Sequence, residues 1–418
     1  MTDIGIRRED KNRWERRAPL TPAHVEELVK EQGRSVALQP SPLRIYADEE
    51  YRAAGARVQE DLTDCRVVLG VKEVPPPLLL PEKPYLIFSH VIKGQAANIP
   101  LLRQALDRRC TLIDYEMIAD GSGRRLIFFG RHAGYAGLVD ALWALGQRLL
   151  TEGIETPFAA VRPAHTYRSV DEAADFLAAT VGRRIRAHGI TPALRPFVVG
   201  FTGKGNVSQG AQEIFDRLPM VEVEPNDLSA LASQASLSHH AVYKVVFGRK
   251  ACVNLARHLP HLTVLVNGIY WEPGQPRLVT REELRKLWSA DAQPRLRLLA
   301  DISCDIEGSI EATVRTTTPD DPVFVYDSLT GEVRSGVEGR GPVVLAVDNL
   351  PAEFPRDSSE HFGDSLFPFL APLLTANYQA DFAHLALPAS LLGAVITHRG
   401  ALTPRSQYLE EALRKAGA

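Results

Sequence analysis

The sequence predicts an α/β protein of two Rossmann-like domains, each a parallel sheet flanked by helices, with an active-site cleft between them. Three observations carry that prediction. Strand-sized apolar runs alternate with helix-sized amphipathic runs, the rhythm of parallel sheets covered by helices. A glycine-rich turn at Gly203 joins an apolar strand to a helix. A length of 418 residues gives a prior of two to three domains.

The elements follow in order. DIGIRRE (3–9) reads as a first strand. Thr21 caps a helix over PAHVEELVKEQG, with Glu26 and Glu27 in its early turns and Gly33 past its end. SVALQP (35–40) is a short strand, and YADEEYRAAGARV a helix ending near Gly55. CRVVLGVKEV (65–74) and PYLIFSHV (84–91) are strands, the first of the fully buried type. A helix over QAANIPLLRQALDRR and a strand at CTLIDYEMI (110–118) complete this series. GLVDALWALGQRLLTEG (137–153) is a long helix able to bridge two domains. RPFVVGFTG (195–203) opens a second series, and helical patterns return after residue 350. The chain is expected to return to its first domain. Residues 1–136 with 350–418 form a discontinuous substrate domain, and 137–349 a dinucleotide-binding domain.

Composition excludes several classes. Hydrophobic residues make up 45% and charged residues 24%, so there is ample apolar surface to bury and long disorder is excluded. A formal charge of −3 gives no footprint for nucleic acid. No stretch approaches a membrane span, and the N-terminal MTDIGIRREDKNRWERR has no apolar run of the signal-peptide kind. Cys65, Cys110, Cys252 and Cys304 are scattered, which fits reduced thiols and neither a disulfide framework nor a zinc site. A cytoplasmic protein without a metal is expected.

The sharpest local signal is FVVGFTGKGNVSQGAQEIF (197–215). Glycines at a strand-to-helix turn let backbone N–H groups approach a pyrophosphate, and the helix start favours negative charge. Gly203 and Gly205 fill the first two positions of the fingerprint, and Ser208 the third. Lys204, Asn206 and Val207 complete the turn. The next strand, PMVEVEP (219–225), carries Glu222 and Glu224, 19 and 21 residues after Gly203. That is near the spacing of an acid on the adenosine ribose, which suits a 2′-hydroxyl and leans toward NAD. Lys204 pulls the other way.

Three further segments carry reactive side chains. Arg16 and Arg17 in WERRAPLTP lie between a strand and a helix, and arginine suits bidentate carboxylate binding. Lys72 in GVKEV and His90 in FSH stand at the ends of successive strands. Ligands in open α/β sheets bind beyond those ends, so the two side chains suit a proton-transfer pair.

IGIRRE…WERRAPLTP, LGVKEVP, FSHVIKGQAAN, LIDYE, FTGKGNVSQGAQEIF, VNGIYWE, DISCDIEGSIE and VDNLPAEFP occur in this order over nearly the whole chain. Together they resemble the lysine-ketoglutarate reductase family. These are saccharopine dehydrogenases of the NADP-dependent, L-lysine-forming kind, the reductase half of alpha-aminoadipic semialdehyde synthase. They are related to alanine dehydrogenase and to the transhydrogenase nucleotide-binding subunit. The resemblance implies that L-lysine and 2-oxoglutarate condense and the imine is reduced to saccharopine, in a reversible reaction of lysine catabolism. It implies Lys72 and His90 as catalytic groups and Arg17 as the carboxylate clamp. Glu73 and Glu116 would line the site, and Arg131 in FGRHAG would stand at the entrance to the cleft. Asp301 or Asp305 would lie near the nicotinamide, with Asn267 and Asn349 on segments beside the cofactor. NADP is the implied cofactor, with NAD as the alternative. The length leaves no room for the fused glutamate-forming dehydrogenase, so a separate polypeptide is expected to remove saccharopine; self-association into a homo-oligomer is left open. The competing readings are another enzyme of the clan (NAD-dependent saccharopine, alanine or opine dehydrogenase) and a non-catalytic nucleotide-binding module.

Overall fold

The computed structural model describes residues 2–234, 237–272 and 274–416. The chain divides into two compact units, Met1–Phe129 with Pro355–Ala418, and Gly130–Phe354.

In the first unit the strands are β1 (Thr2–Ile6), β2 (Val36–Leu38), β3 (Arg57–Val58), β4 (Cys65–Leu69), β5 (Pro84–Ile87) and β6 (Thr111–Asp114). The last two strands of the chain, β15 (Val395–His398) and β16 (Ala401–Leu402), join the same sheet. Its order is β16-β15-β6-β5-β4-β1-β2-β3. β1 to β6 pair in parallel, whereas β15 runs antiparallel to both β6 and β16. The connection between β15 and β16 is Arg399–Gly400 with φ of +49° and +88°, the positive-φ pair that a two-residue hairpin favours. Side chains alternate between two cores. Ile4, Ile6, Val67, Leu69 and Leu86 enter one, and Val68, Tyr85 and Ile87 enter the other. The returning helix Pro355–Leu366 adds Phe362 and Leu366 to the first core.

The strands stop short of the charged residues that follow them. β1 ends at Ile6, β4 at Leu69 and β5 at Ile87, so Glu9–Arg17, Lys72 and His90 all lie beyond strand ends. The first helical stretch, Pro22–Glu26, starts at Thr21, whose side chain accepts from the His24 backbone N–H. The His24 imidazole takes the role of the reciprocal capping partner.

The second unit contains β7 (Val198–Thr202), β8 (Met220–Glu222), β9 (Val242–Phe247), β10 (Val264–Asn267), β11 (Leu298–Asp301), β12 (Val323–Tyr326), β13 (Val333–Ser335) and β14 (Val343–Leu345). The order is β13-β12-β14-β11-β10-β7-β9-β8. Here too an antiparallel margin, β13-β12-β14, departs from the wholly parallel expectation. Short sequence runs such as Val333–Ser335 carry no signal of direction; the hairpin that makes them antiparallel is a tertiary outcome.

The helix Gly130–Thr151 is apolar around much of its circumference and is buried accordingly. It crosses the helix Asn206–Phe215 with the two backbones in contact. A Cβ on Gly134 would stand 2.1 Å from the Val207 carbonyl oxygen, and one on Gly210 2.2 Å from that of Arg131. Gly210 therefore serves helix–helix packing next to the glycine turn.

Candidate active site and dinucleotide turn

In the first unit, the segment leaving β1 folds back over the ends of β4 and β5. Buried Glu9 accepts from the backbone N–H groups of Val71 at 2.7 Å and Lys72 at 2.9 Å, which pins the chain beyond β4. Burial pushes the Glu9 carboxyl up, against the pull of Arg7. The Lys72 ammonium stands 5.8 Å from the centre of the Phe88 ring. Burial first, then the charges of Arg17 and Lys11, lowers it to about 8, with Glu15 and Glu73 opposing.

Arg17 is only 2% exposed and Glu15 only 1%. Arg17 Nε donates to Glu15 Oε1 at 2.7 Å and Nη2 donates to Oε2, a fork pairing that fixes the guanidinium plane. The same guanidinium lies over Phe129 at 4.2 Å. His90 Nδ1 is 3.1 Å from Glu73 Oε2, and Lys11 Nζ is 3.4 Å from Glu73 Oε1. Burial raises the Glu73 carboxyl, yet the His90 hydrogen bond and the Lys11 charge outweigh it and bring the group to about 2. His90 adopts φ +54°, and its ring stacks on Phe88 at 6.3 Å between centroids. The structure thus brings Arg17, Lys72, Glu73 and His90 together, with Lys11, Glu9, Glu15 and Phe88 around them.

Two predicted substrate-site residues have other partners. Arg16 is exposed, and its Nε donates to the Leu43 carbonyl at 3.2 Å. Consecutive residues in extended chain point oppositely, so only one of the two arginines turns inward. Glu116 follows β6 and forms an ion pair with Arg125. The sequence reading missed Lys11, Glu9 and Glu15. They sit in a dense run of charges that reads as exposed, and only the pairing Glu15–Arg17 shows why it is not.

In the second unit, Gly203 has φ +81°, and a Cβ there would lie 2.9 Å from Ile269 Cγ1. Gly205 precedes the helix Asn206–Phe215, whose start has no side-chain cap, and a Cβ on Gly205 would meet no atom within 4 Å. The turn is therefore open on the side from which a pyrophosphate approaches, with backbone N–H groups facing it. Lys204 and Asn206 are exposed there, Val207 is half-buried, and Ser208 packs under the turn against Gly268. These residues fit a dinucleotide.

Thr202, Asn267 and Asp301 end β7, β10 and β11 and stand in register. Thr202 Oγ1 donates to Asn267 Oδ1 at 2.7 Å. Asn267 Nδ2 donates to Asp301 Oδ1 at 2.9 Å and Ser309 Oγ at 2.8 Å. Thr313 and Ser303 donate to the Asp301 carboxylate at 2.6 and 2.7 Å. Burial raises Asp301, and these donors oppose it. Asn267 and Asp301 thereby cross-link three strand ends beside the turn. Asp305 is half-buried in the loop after β11, where its carbonyl accepts from Gly308 N–H at 2.9 Å. Asn349 adopts φ +77° ahead of the helical turn Leu350–Glu353, a conformation that Asn tolerates better than most residues.

Arg131 lies in the second unit, where Nη1 donates to Glu213 at 2.6 Å and Nη2 to Gln209 at 3.0 Å, both on the glycine-turn helix. Two cofactor-side expectations change. Glu222 and Glu224 lose the premise of the spacing argument. β8 pairs only with β9 and forms the sheet edge, so it is not the neighbour of β7. Glu222 is level with Lys244 and, through it, with Val199, three residues short of the end of β7. Its carboxylate is 3.2 Å from Lys244 Nζ.

The family model for the alanine dehydrogenase/PNT N-terminal domain matches residues 5–136, and that for the C-terminal domain matches 169–405. The chain belongs to the alanine dehydrogenase/PNT family. Among curated members, it is 38% identical to alpha-aminoadipic semialdehyde synthase of Arabidopsis thaliana, over 97% of this chain and 41% of that protein. It is 28% identical to the saccharopine dehydrogenase [NAD(+), L-lysine-forming] of Neurospora crassa, over 89% of this chain and 91% of the relative. The chain spans less than half the length of the synthase. A solved L-alanine dehydrogenase shares the two-domain fold, with a TM-score of 0.65 at 20% identity, covering 99% of this chain and 100% of that one. No helix among the described residues is long and apolar enough to cross a membrane.

Proposed function

We propose that the chain is a lysine-ketoglutarate reductase that uses NADPH. L-Lysine, 2-oxoglutarate, NADPH and a proton give saccharopine, NADP and water. The observation that carries this reading is the amine of Lys72, depressed to about 8 beside Arg17 and next to the His90–Glu73 pair. The likeness to the lysine-handling relatives supports it.

Each residue has a task. Arg17, its plane fixed by Glu15, offers planar donors to a substrate carboxylate. Neutral Lys72 takes the proton from the attacking ε-amine of lysine, and its conjugate acid then protonates the carbinolamine oxygen as water leaves. His90, held through Nδ1 by Glu73, is its partner in moving protons. The Gly203–Ser208 turn would hold the pyrophosphate of a dinucleotide, with the Thr202–Asn267–Asp301 cross-link keeping that turn in place. The chemistry such a cofactor would supply is hydride for reduction of the imine to the secondary amine.

The test is NADPH oxidation by the purified chain with lysine plus 2-oxoglutarate, against pyruvate plus ammonia, with the product identified by mass. Saccharopine from the first pair alone is expected. Turnover only with pyruvate and ammonia would assign an alanine dehydrogenase, and turnover with neither pair would end the reading.

A further inference from the structure

In doubly wound dinucleotide folds, the adenosine ribose sits beyond the end of the strand that neighbours the glycine-turn strand on its outer side. Here that strand is β9, because β10 flanks β7 on the other side. Phe247, the last residue of β9, is in register with Thr202, and the Gly203 N–H donates to the Phe247 carbonyl at 2.9 Å. The end of β9 is thus level with the glycine turn. The residues that leave it are Gly248, Arg249 and Lys250. Where an NAD-binding site would place an acid on the 2′-hydroxyl, this chain has a glycine followed by two cations.

Arg249 and Lys250 are both exposed. Lys204 reaches the same place from the turn: a Cβ on Gly248 would lie 3.7 Å from Lys204 Cε. Among the described residues no ion pair engages Lys204, Arg249 or Lys250. Of the nearby acids, Glu222 and Asp216 both pair with Lys244, at 3.2 and 2.9 Å, and the exposed Glu224 forms no ion pair with any of the three cations. Three exposed cations thus cluster in sequence and space about the end of β9, and no ion pair among the described residues neutralises them. A phosphomonoester, dianionic and rich in acceptors, is the group such a spot suits.

We infer that Arg249, with Lys250 and Lys204, binds the 2′-phosphate of the dinucleotide and selects NADPH over NADH. This rests on the dinucleotide reading of the glycine turn and deepens it. The experiment is a binding measurement on the full chain, independent of turnover. Fluorescence titration compares NADPH with NADH, and calorimetry compares 2′,5′-ADP with 5′-AMP. The wild type should bind NADPH at least about tenfold more tightly than NADH, and 2′,5′-ADP more tightly than 5′-AMP. Arg249→Ala with Lys250→Ala should weaken NADPH about tenfold or more while NADH stays within about twofold, which also reports that the protein is folded. Gly248→Asp with Arg249→Ala should turn the preference toward NADH; Gly248 has φ −67°, which any residue adopts. An undiminished NADPH preference in the Arg249/Lys250 variant overturns the inference, as does tighter NADH binding by the wild type. If neither dinucleotide binds the wild type, the glycine-turn reading itself falls, an outcome distinct from the other two.

Discussion

The depressed Lys72 amine makes a sharp prediction about pH. An ordinary lysine near 10.5 is neutral in about one molecule per thousand at pH 7.5, whereas one at about 8 is neutral in about a quarter. The gain in the proton-accepting form is on the order of two hundredfold, obtained from burial and from the charges of Arg17 and Lys11. The sign follows from the roles. Lys72 must be neutral to accept the proton of the attacking amine, so turnover in the saccharopine-forming direction should rise with pH and level off above about 8. The assay is kcat for NADPH oxidation at saturating lysine and 2-oxoglutarate from about pH 6 to 10, where kcat reports groups of the bound complex. Lys72→Met should lower kcat by about 10²- to 10⁴-fold and abolish the rise centred near 8. NADPH affinity should stay within about twofold, because the dinucleotide's pyrophosphate is assigned to the Gly203–Ser208 turn. A rise that survives in Lys72→Met would remove Lys72 from the proton path. A wild-type midpoint near 10 would refute the account of how its surroundings tune it.

Three further outcomes are expected. Arg17→Lys keeps the charge but loses the fork, so KM for 2-oxoglutarate should rise about ten- to a hundredfold with NADPH affinity unchanged; an unchanged KM would show that Arg17 only braces Glu15. Asn267→Ala leaves the buried Asp301 carboxylate without one of its donors and should cost about 2–4 kcal/mol in urea unfolding, whereas a loss under about 1 kcal/mol would show the network is dispensable. Gly210→Val sets a side chain 2.2 Å from the Arg131 carbonyl oxygen and should cost about 3 kcal/mol or more; a melt close to wild type would refute the backbone-to-backbone crossing.

Much of the fold could be read from apolar patterning, and the misses have physical reasons. Val67–Leu69 and Val198–Thr202 are continuous apolar runs and fold as buried inner strands. The antiparallel margins were not legible, because a three-residue strand such as Val333–Ser335 encodes no direction. The candidate residues beyond β4 and β5 were legible because a single lysine or histidine follows an apolar run. Glu9 and Glu15 were not, since burial of a carboxylate is decided by partners far along the chain: Glu9 is held by Val71 and Lys72.

The misplacement of the ribose acid is the more instructive case. Counting residues from Gly203 to Glu222 assumes that the next strand in sequence is the next strand in space. The sheet does not obey that assumption, and the composition of the two candidate strands explains why. An inner strand of a parallel sheet is covered on both faces and must be apolar on both. Met220–Glu222 is exposed along most of its length, with Val221 44% exposed, and its end is charged. Val242–Phe247 buries all but one of its side chains fully, and its single charge, Lys244, is neutralised by Asp216 and Glu222. The chain therefore places the poorly apolar segment at the edge and inserts the apolar one beside β7. Ranking strands by two-faced apolarity, rather than by order, locates the end of the neighbouring strand at Phe247. The inferred specificity-bearing residues move with it, from two glutamates to Arg249 and Lys250, which reverses the expected sign of the charge at the ribose.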